Sequence, residues 1–213
     1  MARTIGVTQI LNKKYKMLDV SDKWKNVFGQ LPDPFSMIVI GKPKNGKTSL
    51  VMSFCRDRAE RYKVFYSSLE EGDAKTIQDA LILADMKDVA GKFFIGEDYF
   101  FNDLVEKLSK PRSPKIVVID SLDYMSLTTS QWKELIYLFP KKSWMIICWG
   151  SAHPTDFANP DNYYAKQIKY KVGTVVLVKD FKVTTRGRYG MTDPYTIWDK
   201  KSKPQAGDQL EIQ

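Results

Sequence analysis

Short apolar runs alternate with segments of helical periodicity along most of this chain. Almost every position is apolar in the runs at 36–40, 63–66, 93–95, 115–120 and 143–149, which therefore predict buried strands. Apolar residues three or four positions apart predict amphipathic helices at 48–61, 73–86, 102–109 and 130–138. Buried strands separated by helices are typical of a mostly parallel sheet with helices on both faces, so an α/β fold is expected.

The two ends of the chain depart from this pattern. Late strands at 174–178, 181–184 and 195–198, joined by short turns, predict an antiparallel C-terminal extension of the sheet. We expect residues 1–34 to form an N-terminal appendage, residues 35–199 the main domain, and residues 200–213 a polar tail. With 213 residues, of which 43% are hydrophobic, the chain is long enough to bury one sizeable core.

Charge and cysteine content narrow the class of protein. A formal net charge of +8 favours a polyanionic partner, nucleic acid above all, although a basic protein without such a partner is the alternative. Cys55 and Cys148 lie in apolar surroundings, which favours buried free thiols and a cytoplasmic location over a disulfide or a metal site. No apolar run approaches the roughly eighteen residues of a membrane span, and the N-terminus lacks the pattern of a secretory signal.

One loop carries the strongest functional motif in the sequence. The segment GKPKNGKT follows the first predicted strand, precedes a helix, and matches the pattern G-x-x-x-x-G-K-[ST] in full. Backbone N–H groups in such a loop can point at phosphate oxygens, and the helix N-terminus adds partial positive charge. Lys47 is expected to reach the β- and γ-phosphates of ATP and the Thr48 hydroxyl to bind Mg²⁺; the alternative is a turn that only resembles a phosphate loop. The expected nucleotide-binding residues are Gly41, Lys42, Pro43, Lys44, Asn45, Gly46, Lys47, Thr48 and Ser49.

Carboxylates follow two of the predicted strands. Asp120 ends the run KIVVID, where a carboxylate is poorly placed unless it serves an ion or a hydrogen bond, so we expect it to hold Mg²⁺. The alternative is an acid that caps the next turn. Glu70 and Glu71 follow the second strand and could orient or deprotonate the water that attacks the γ-phosphate, unless they are solvated loop acids.

These motifs together resemble the RecA-like ATPases, especially the DnaB-type helicase core and the RadA-type repair ATPases. The phosphate loop is similar to the helicase pattern G-R-P-x-x-G-K-T-S, and VFYSSLEEG is similar to their V-x-x-x-S-x-E element. SWMIICWGSAHP and RGRYG show looser similarity to RadA-type elements, and the resemblance covers residues 35–199. The whole chain also resembles a single-domain ATPase of phages and prophages of Bacteroidetes-type bacteria. The resemblance implies a RecA-like fold, Mg-ATP hydrolysis and an oligomer, either a ring or a filament.

The resemblance also implies roles for individual residues. Glu70 corresponds to the acid that activates water, and Ser151 and His153 lie where these proteins place a γ-phosphate sensor. Arg186 and Arg188 correspond to the basic residues that a neighbouring subunit inserts at the γ-phosphate. A guanidinium held in a short turn can stabilise charge on a phosphate bound to the next protomer, and a solvated hairpin turn is the alternative.

The chain departs from both family patterns in ways that bear on function. Gly173 stands where RadA-type proteins usually carry an acid, and Arg186-Gly187 replaces the K-N of their K-N-R-F-G element. The N-terminal collar domain of DnaB-type helicases has no counterpart in the short segment before residue 35. These differences argue against a complete replicative helicase and leave ATP binding unaffected.

A basic and aromatic segment lies in the loop that follows the fourth core strand. In RecA-like proteins this loop faces the central channel or filament axis. Lysines can neutralise phosphates while tyrosines stack on bases, so the composition predicts binding of single-stranded DNA. The alternative is a basic amphipathic helix with its tyrosines packed inward. The expected nucleic-acid-binding residues are Tyr163, Tyr164, Lys166, Lys169 and Lys171.

The sequence therefore predicts a RecA-like α/β ATPase that binds Mg-ATP and acts as an oligomer on single-stranded DNA in replication, recombination or repair. The main alternative is a regulatory ATP-binding switch that engages protein partners without DNA. A small-molecule kinase would need a lid-like segment, which the sequence does not suggest, and an inactive nucleotide-binding protein would not need Lys47, Thr48, Glu70 and Asp120 together.

Overall fold

The computed structural model describes residues 4–70, 74–188, 190–192 and 194–197. Its helices are α1 (Val7–Leu11), α2 (Asp22–Phe28), α3 (Lys47–Ala59), α4 (Lys75–Leu83), α5 (Phe101–Ser109), α6 (Leu122–Met125), α7 (Thr129–Leu138) and α8 (Tyr163–Lys169), with a 3₁₀ turn at Met86–Val89. Its strands are β1 (Ser36–Gly41), β2 (Val64–Ser68), β3 (Phe93–Glu97), β4 (Ile116–Asp120), β5 (Ser143–Cys148), β6 (Gly150–His153), β7 (Asp156–Pro160), β8 (Thr174–Lys179), β9 (Lys182–Gly187), β10 (Gly190–Met191) and β11 (Tyr195–Thr196).

The central sheet is parallel over most of its width. Its strand order is β10-β9-β8-β1-β5-β4-β2-β3, with β11 paired to β9. The strands from β8 to β3 run parallel, whereas β9, β10 and β11 add antiparallel pairs at one side. Strands β1, β5, β4 and β2 are neighbours and run parallel, so their carboxyl ends lie along one edge of the sheet. The predicted ATP-binding motifs are at this edge.

Each face of the sheet carries a packed apolar layer. Alternate side chains of β1 divide between the layers: Met37 and Val39 join the layer under α2, α3 and α4, whereas Ile38 and Ile40 join the layer under α5, α6, α7 and α8. Every position of β2, β4 and β5 is buried, as expected for strands covered on both faces.

The segment before β1 is built into the first of these layers. Trp24 is 3% exposed, stacks on Phe28 with ring centroids 5.6 Å apart, and meets the edge of Phe54 at 5.1 Å. Arg58 of α3 also donates to the backbone carbonyl of Asp19. Residues 18–31 therefore belong to the same core as the sheet, while the position of the domain boundary at residue 34 stays a prediction.

The sequence predicts a loop after β5, with a basic amphipathic helix as the alternative, and the structure has a hairpin there followed by that helix. Strands β6 and β7 form an antiparallel hairpin against the carboxyl half of β1, where Gly150 lies so close that a Cβ would meet Ile40 Cγ2 at 2.7 Å. Helix α8 follows, with the Asn162 side chain accepting from the backbone N–H of Tyr164 at 2.8 Å. Across the part of the chain that the structure describes, no helix has the length and apolarity to cross a bilayer.

Candidate nucleotide-binding site

The loop between β1 and α3 depends on the two glycines of the predicted phosphate-binding motif. Gly46 adopts φ +92° immediately before α3 begins at Lys47, and a Cβ at Gly46 would lie 3.0 Å from Phe181 Cδ1. A Cβ at Gly41 would lie 2.4 Å from the carbonyl oxygen of Val178. Gly46 is therefore required because its backbone is left-handed, and Gly41 is required because it packs closely on β8.

Lys47 folds back over this loop. Its ammonium donates to the backbone carbonyls of Gly41, at 2.8 Å, and Lys42, at 2.9 Å, and the residue is only 8% exposed. Burial lowers the pKa of Lys47, and the carboxylates of Asp120 and Glu70 act in the opposite direction. The cation is thus held in the centre of the loop, within the field of both predicted acids.

Asp120 is fixed by two side chains from neighbouring elements. The hydroxyl of Tyr66, in β2, donates to Asp120 Oδ2, and Thr48 Oγ1 lies 3.5 Å from the same oxygen. Tyr66 is completely buried, and this burial, with the charge of Asp120, raises its pKa well above the ordinary value. The phenol therefore stays protonated and keeps donating to the carboxylate.

These groups line one cleft of about 470 Å³. Its walls bring together Lys47 and Thr48 from the loop, Glu70 from beyond β2 and Asp120 from the end of β4, with Phe181 closing one side. The set suits Mg²⁺ with a triphosphate, since this ion prefers hydroxyl and carboxylate oxygens and shares its coordination with phosphates. In the described ranges no group of three or more His, Cys, Asp or Glu is placed to hold a metal ion.

Other predicted site residues lie elsewhere. Glu71 lies outside the described residues. Ser151 and His153 do not line the cleft, because the β6–β7 hairpin carries them away from it: Gly150 abuts the end of β1, whereas Phe157, nearer the hairpin tip, packs on Arg186 with the guanidinium 4.4 Å from its ring centroid. The geometry does not support the predicted γ-phosphate sensor, and Nδ1 of His153 instead meets Thr155 Oγ1 at 2.9 Å.

Of the two predicted trans-acting arginines, Arg186 is level with Ile38 in the middle of β1 and Arg188 lies at the opposite end of the sheet from the phosphate loop. Arg186 belongs to β9 rather than to a turn, and it pairs with Val175 of β8. The Arg188 N–H donates to Gly173 O at 3.0 Å, and the Gly173 N–H donates to Ser36 O at 3.1 Å. Ser36 precedes Gly41 by five strand positions, so Arg188 is about 16 Å from the level of the phosphate loop. Both arginines are exposed.

The residues predicted to bind nucleic acid differ in their exposure to solvent. Tyr163 is 68% exposed and Lys171 is exposed, whereas Tyr164 and Lys166 are half-buried. Lys169 is 8% exposed, and its ammonium binds Asp156 Oδ2 at 2.5 Å and the Ala158 carbonyl at 2.9 Å. Lys169 therefore connects α8 to the β6–β7 hairpin and does not face solvent, because its ammonium is held by Asp156 and Ala158.

Two residues at the candidate site are not predicted by the sequence motifs. Tyr66 lies behind Asp120 in a completely buried strand, where a tyrosine needs a hydrogen-bond partner, and that need is the available signal. Phe181 lies 135 positions after Gly46 in the chain, and no local pattern places the two residues together.

Comparisons with known proteins bear on the fold. No protein-family model matches the chain, and a search of curated protein sequences finds no match. Among solved structures the chain is similar to the flagellar accessory protein FlaH from Methanocaldococcus jannaschii, with a TM-score of 0.62 and 14% sequence identity over 86% of this chain and 95% of that chain. The chain thus has a RecA-like fold, a mostly parallel sheet with an antiparallel C-terminal extension, which confirms the predicted fold class. At this identity the likeness concerns the fold alone.

Proposed function

We propose that this chain is a cytoplasmic Mg-ATP-dependent ATPase of the DnaB or RadA type, which works as an oligomer on single-stranded DNA in replication, recombination or repair. The observation that carries the proposal is the convergence of Lys47, Thr48, Glu70 and Asp120 on one cleft. These residues lie up to 73 positions apart in the sequence, yet each has the chemistry that its place in a phosphoryl-transfer site requires.

The chain's own groups divide the work of such a site. The backbone of the loop and the N-terminus of α3 would hold the β- and γ-phosphates, with Lys47 adding a positive charge at the centre. Thr48 and Asp120 would hold Mg²⁺, which neutralises charge on the phosphates when it is bound. Glu70, exposed at the rim of the cleft, would accept a proton from the water that attacks the γ-phosphate.

Two substitutions separate binding from hydrolysis. Lys47→Ala removes the loop cation and should weaken ATP binding strongly, whereas Glu70→Gln should keep binding and lose turnover, because the amide cannot take a proton. Binding is measured with a fluorescent ATP analogue and turnover by phosphate release. ATP binding by Lys47→Ala at the parental affinity would show that the nucleotide occupies another place.

The oligomer is supported by the position of the arginines. Because Arg188 lies about 16 Å from the level of its own phosphate loop, it could reach a γ-phosphate only in another copy. Copies carrying Lys47→Ala still offer Arg188, and copies carrying Arg188→Ala still offer an intact cleft. A mixture of the two should therefore hydrolyse ATP faster than either alone, and equal rates would refute action in trans.

Binding to DNA is supported by the exposed Tyr163 and Lys171 at the α8 surface. The engagement of Lys169 with Asp156 removes one expected phosphate contact and favours the second candidate, a regulatory ATP switch that engages protein partners without DNA. Fluorescence anisotropy of a single-stranded oligonucleotide at low salt separates the two. Binding of the oligonucleotide that weakens with salt and in the Lys171→Ala variant supports action on DNA. No binding at low salt supports the regulatory ATP switch.

A further inference from the structure

A cavity of about 200 Å³, here called the amino-end pocket, lies at the opposite end of the sheet from the candidate ATP cleft. It is found where β1 and β5 begin, between the chain that precedes β1 and the residues that end α7. Backbone hydrogen bonds fix its floor, because Ser36 O accepts from the Gly173 N–H at 3.1 Å and Gly173 O accepts from the Arg188 N–H at 3.0 Å. The pocket is therefore built on the strands of the central sheet.

Apolar side chains form most of the wall of the amino-end pocket. Phe35 and Trp144 are 2% and 1% exposed, Phe139 is half-buried, and Ile136 is 37% exposed, which puts it at the mouth. An apolar cavity of about 150 Å³ is enough to hold benzene. The amino-end pocket therefore has room for one aromatic ring and part of a polar group.

The charged side chains that line the pocket all have the same sign. Among the described residues they are Lys142, Lys171 and Arg188, and no aspartate or glutamate is part of the lining. The Lys142 ammonium donates to Ser113 Oγ at 2.8 Å and to the carbonyl oxygen of Pro114 at 2.7 Å, and no carboxylate of the described ranges pairs with it. Burial and the charge of a neighbouring lysine lower the pKa of Lys142. An anion in the pocket would stabilise this cation.

The pocket also contains a buried donor that lacks an acceptor. Trp144 lines the pocket, and its indole Nε1–H is buried without a hydrogen-bond partner in the part of the chain that the structure describes. Buried polar groups nearly always have a partner, and an indole N–H can only donate, so the missing partner is an acceptor. Apolar walls with a few convergent polar groups are typical of a site for a small molecule.

We propose that the amino-end pocket binds a small aromatic anion, in which one ring carries a carboxylate or a phosphate group. The ring would fill the apolar part of the pocket, and an oxygen of the anionic group would accept from the Trp144 N–H. The negative charge would meet Lys142, Lys171 and Arg188. The proposal goes beyond the proposed function and does not depend on ATP binding, although the ligand would compete for Lys171 and Arg188 with the proposed DNA and trans contacts.

Calorimetric titration of the parent chain without ATP tests the class of ligand. Phenyl phosphate and benzoate carry both a ring and a negative charge, and at least one of them should bind. Benzyl alcohol keeps the ring without the charge, and inorganic phosphate keeps the charge without the ring, so each should bind about tenfold or more weakly. If neither aromatic anion bound, or if inorganic phosphate or benzyl alcohol bound equally well, the proposal would be overturned.

Two variants test whether the ligand that binds occupies this pocket. Trp144→Phe keeps a buried ring and removes the N–H, so the affinity should fall about tenfold or more, as for a lost hydrogen bond to a charged group. Ile136→Glu places a negative charge at the mouth and should also weaken binding. Tyr137→Glu is the matched control, because it makes the same change of charge at the next residue, which is 83% exposed and does not line the pocket.

Circular dichroism shows whether each variant is folded, and the exposed Ile136 provides the test if Trp144→Phe does not fold. Parental affinity in Ile136→Glu or in folded Trp144→Phe, or an equal loss in Tyr137→Glu, would overturn the proposal. ATP binding is measured on the same samples and should be unchanged in the variants. Absence of ATP binding in the parent would refute the proposed function and leave the amino-end pocket unaffected.

Discussion

Replacing Tyr66 by phenylalanine tests whether a buried tyrosine positions Asp120, the carboxylate proposed to bind Mg²⁺. The change removes one oxygen and keeps the ring, which is completely buried in β2. In the parent, this hydroxyl donates to Asp120 Oδ2, the same oxygen that lies 3.5 Å from Thr48 Oγ1. Tyr66→Phe therefore leaves Asp120, which is only 7% exposed, without its buried donor.

Two magnitudes follow from this geometry. A hydrogen bond to a charged group contributes about 1.5–3 kcal/mol, so Tyr66→Phe should lower the free energy of unfolding by an amount in that range. Residues that orient metal ligands usually change metal affinity by about 10- to 100-fold, so the Mg²⁺ concentration that supports half-maximal ATP turnover should rise by a similar factor. Saturating Mg²⁺ should restore most of the turnover, because the residues of the cleft that would hold ATP itself remain.

Urea denaturation and Mg²⁺ titration of ATP turnover measure the two effects. Tyr99→Phe, which removes a hydroxyl from a half-buried tyrosine away from the cleft, is the matched control and should change neither. In an Asp120→Asn background the additional loss from Tyr66→Phe should shrink, since the donor then faces a neutral amide. A full loss of stability in that background, or an unchanged Mg²⁺ requirement in the single variant, would refute the positioning role.

Three further predictions concern the loop, the N-terminal segment and the thiols. Because Gly46 has a positive φ, Gly46→Ala should lower the free energy of unfolding by about 1–2 kcal/mol, and it should also weaken ATP binding. At Gly91 an added Cβ would meet nothing within 4 Å, so Gly91→Ala should change neither the stability nor the ATP binding. Trp24→Ala should cost about 3–5 kcal/mol by urea denaturation, against about 0.5 kcal/mol or less for Tyr137→Ala, and a small loss would show that residues 18–31 are dispensable to the core. Burial raises the pKa of both cysteine thiols, so an alkylating reagent should label them only on unfolding. In the unfolded chain the thiols have a pKa near 8.5, whereas in the folded protein their pKa is well above that value. Above about pH 8.5 the unfolded state therefore binds fewer protons than the folded state, and the free energy of unfolding should fall as the pH rises.

The phosphate loop could be predicted because its requirements are local. An apolar strand, two glycines at fixed spacing and a helix starting at Lys47 all lie within a few residues, and backbone geometry decides them. The meeting of Glu70 and Asp120 could also be predicted, since carboxyl ends of parallel strands share an edge. The register confirms that Ser68 of β2 pairs with Asp120 of β4.

Features that depend on distant contacts could not be predicted in this way. The β6–β7 hairpin contains Pro154 and Pro160 beside short polar residues, a composition typical of loops, and it pairs because it lies on the end of β1. Lys169 has the spacing of an exposed helical lysine, but Asp156 of the hairpin turns it inward. In both cases a neighbour absent from the local sequence decides the conformation.

The position of Arg188 along the sheet bears on how one copy would face the next in the proposed oligomer. The candidate ATP cleft is at the carboxyl end of β1, and the exposed Arg188 is near its amino end, level with Ser36. In a two-fold symmetric dimer, Arg188 of each copy would have to meet the cleft of the other copy across the same interface. In a heterologous contact, each copy would instead offer Arg188 to one neighbour and its cleft to another, and the contact would repeat from copy to copy. Both arrangements would let the mixture of Lys47→Ala and Arg188→Ala copies hydrolyse ATP, but only the heterologous one would give an assembly larger than two chains, so the mass in solution separates them.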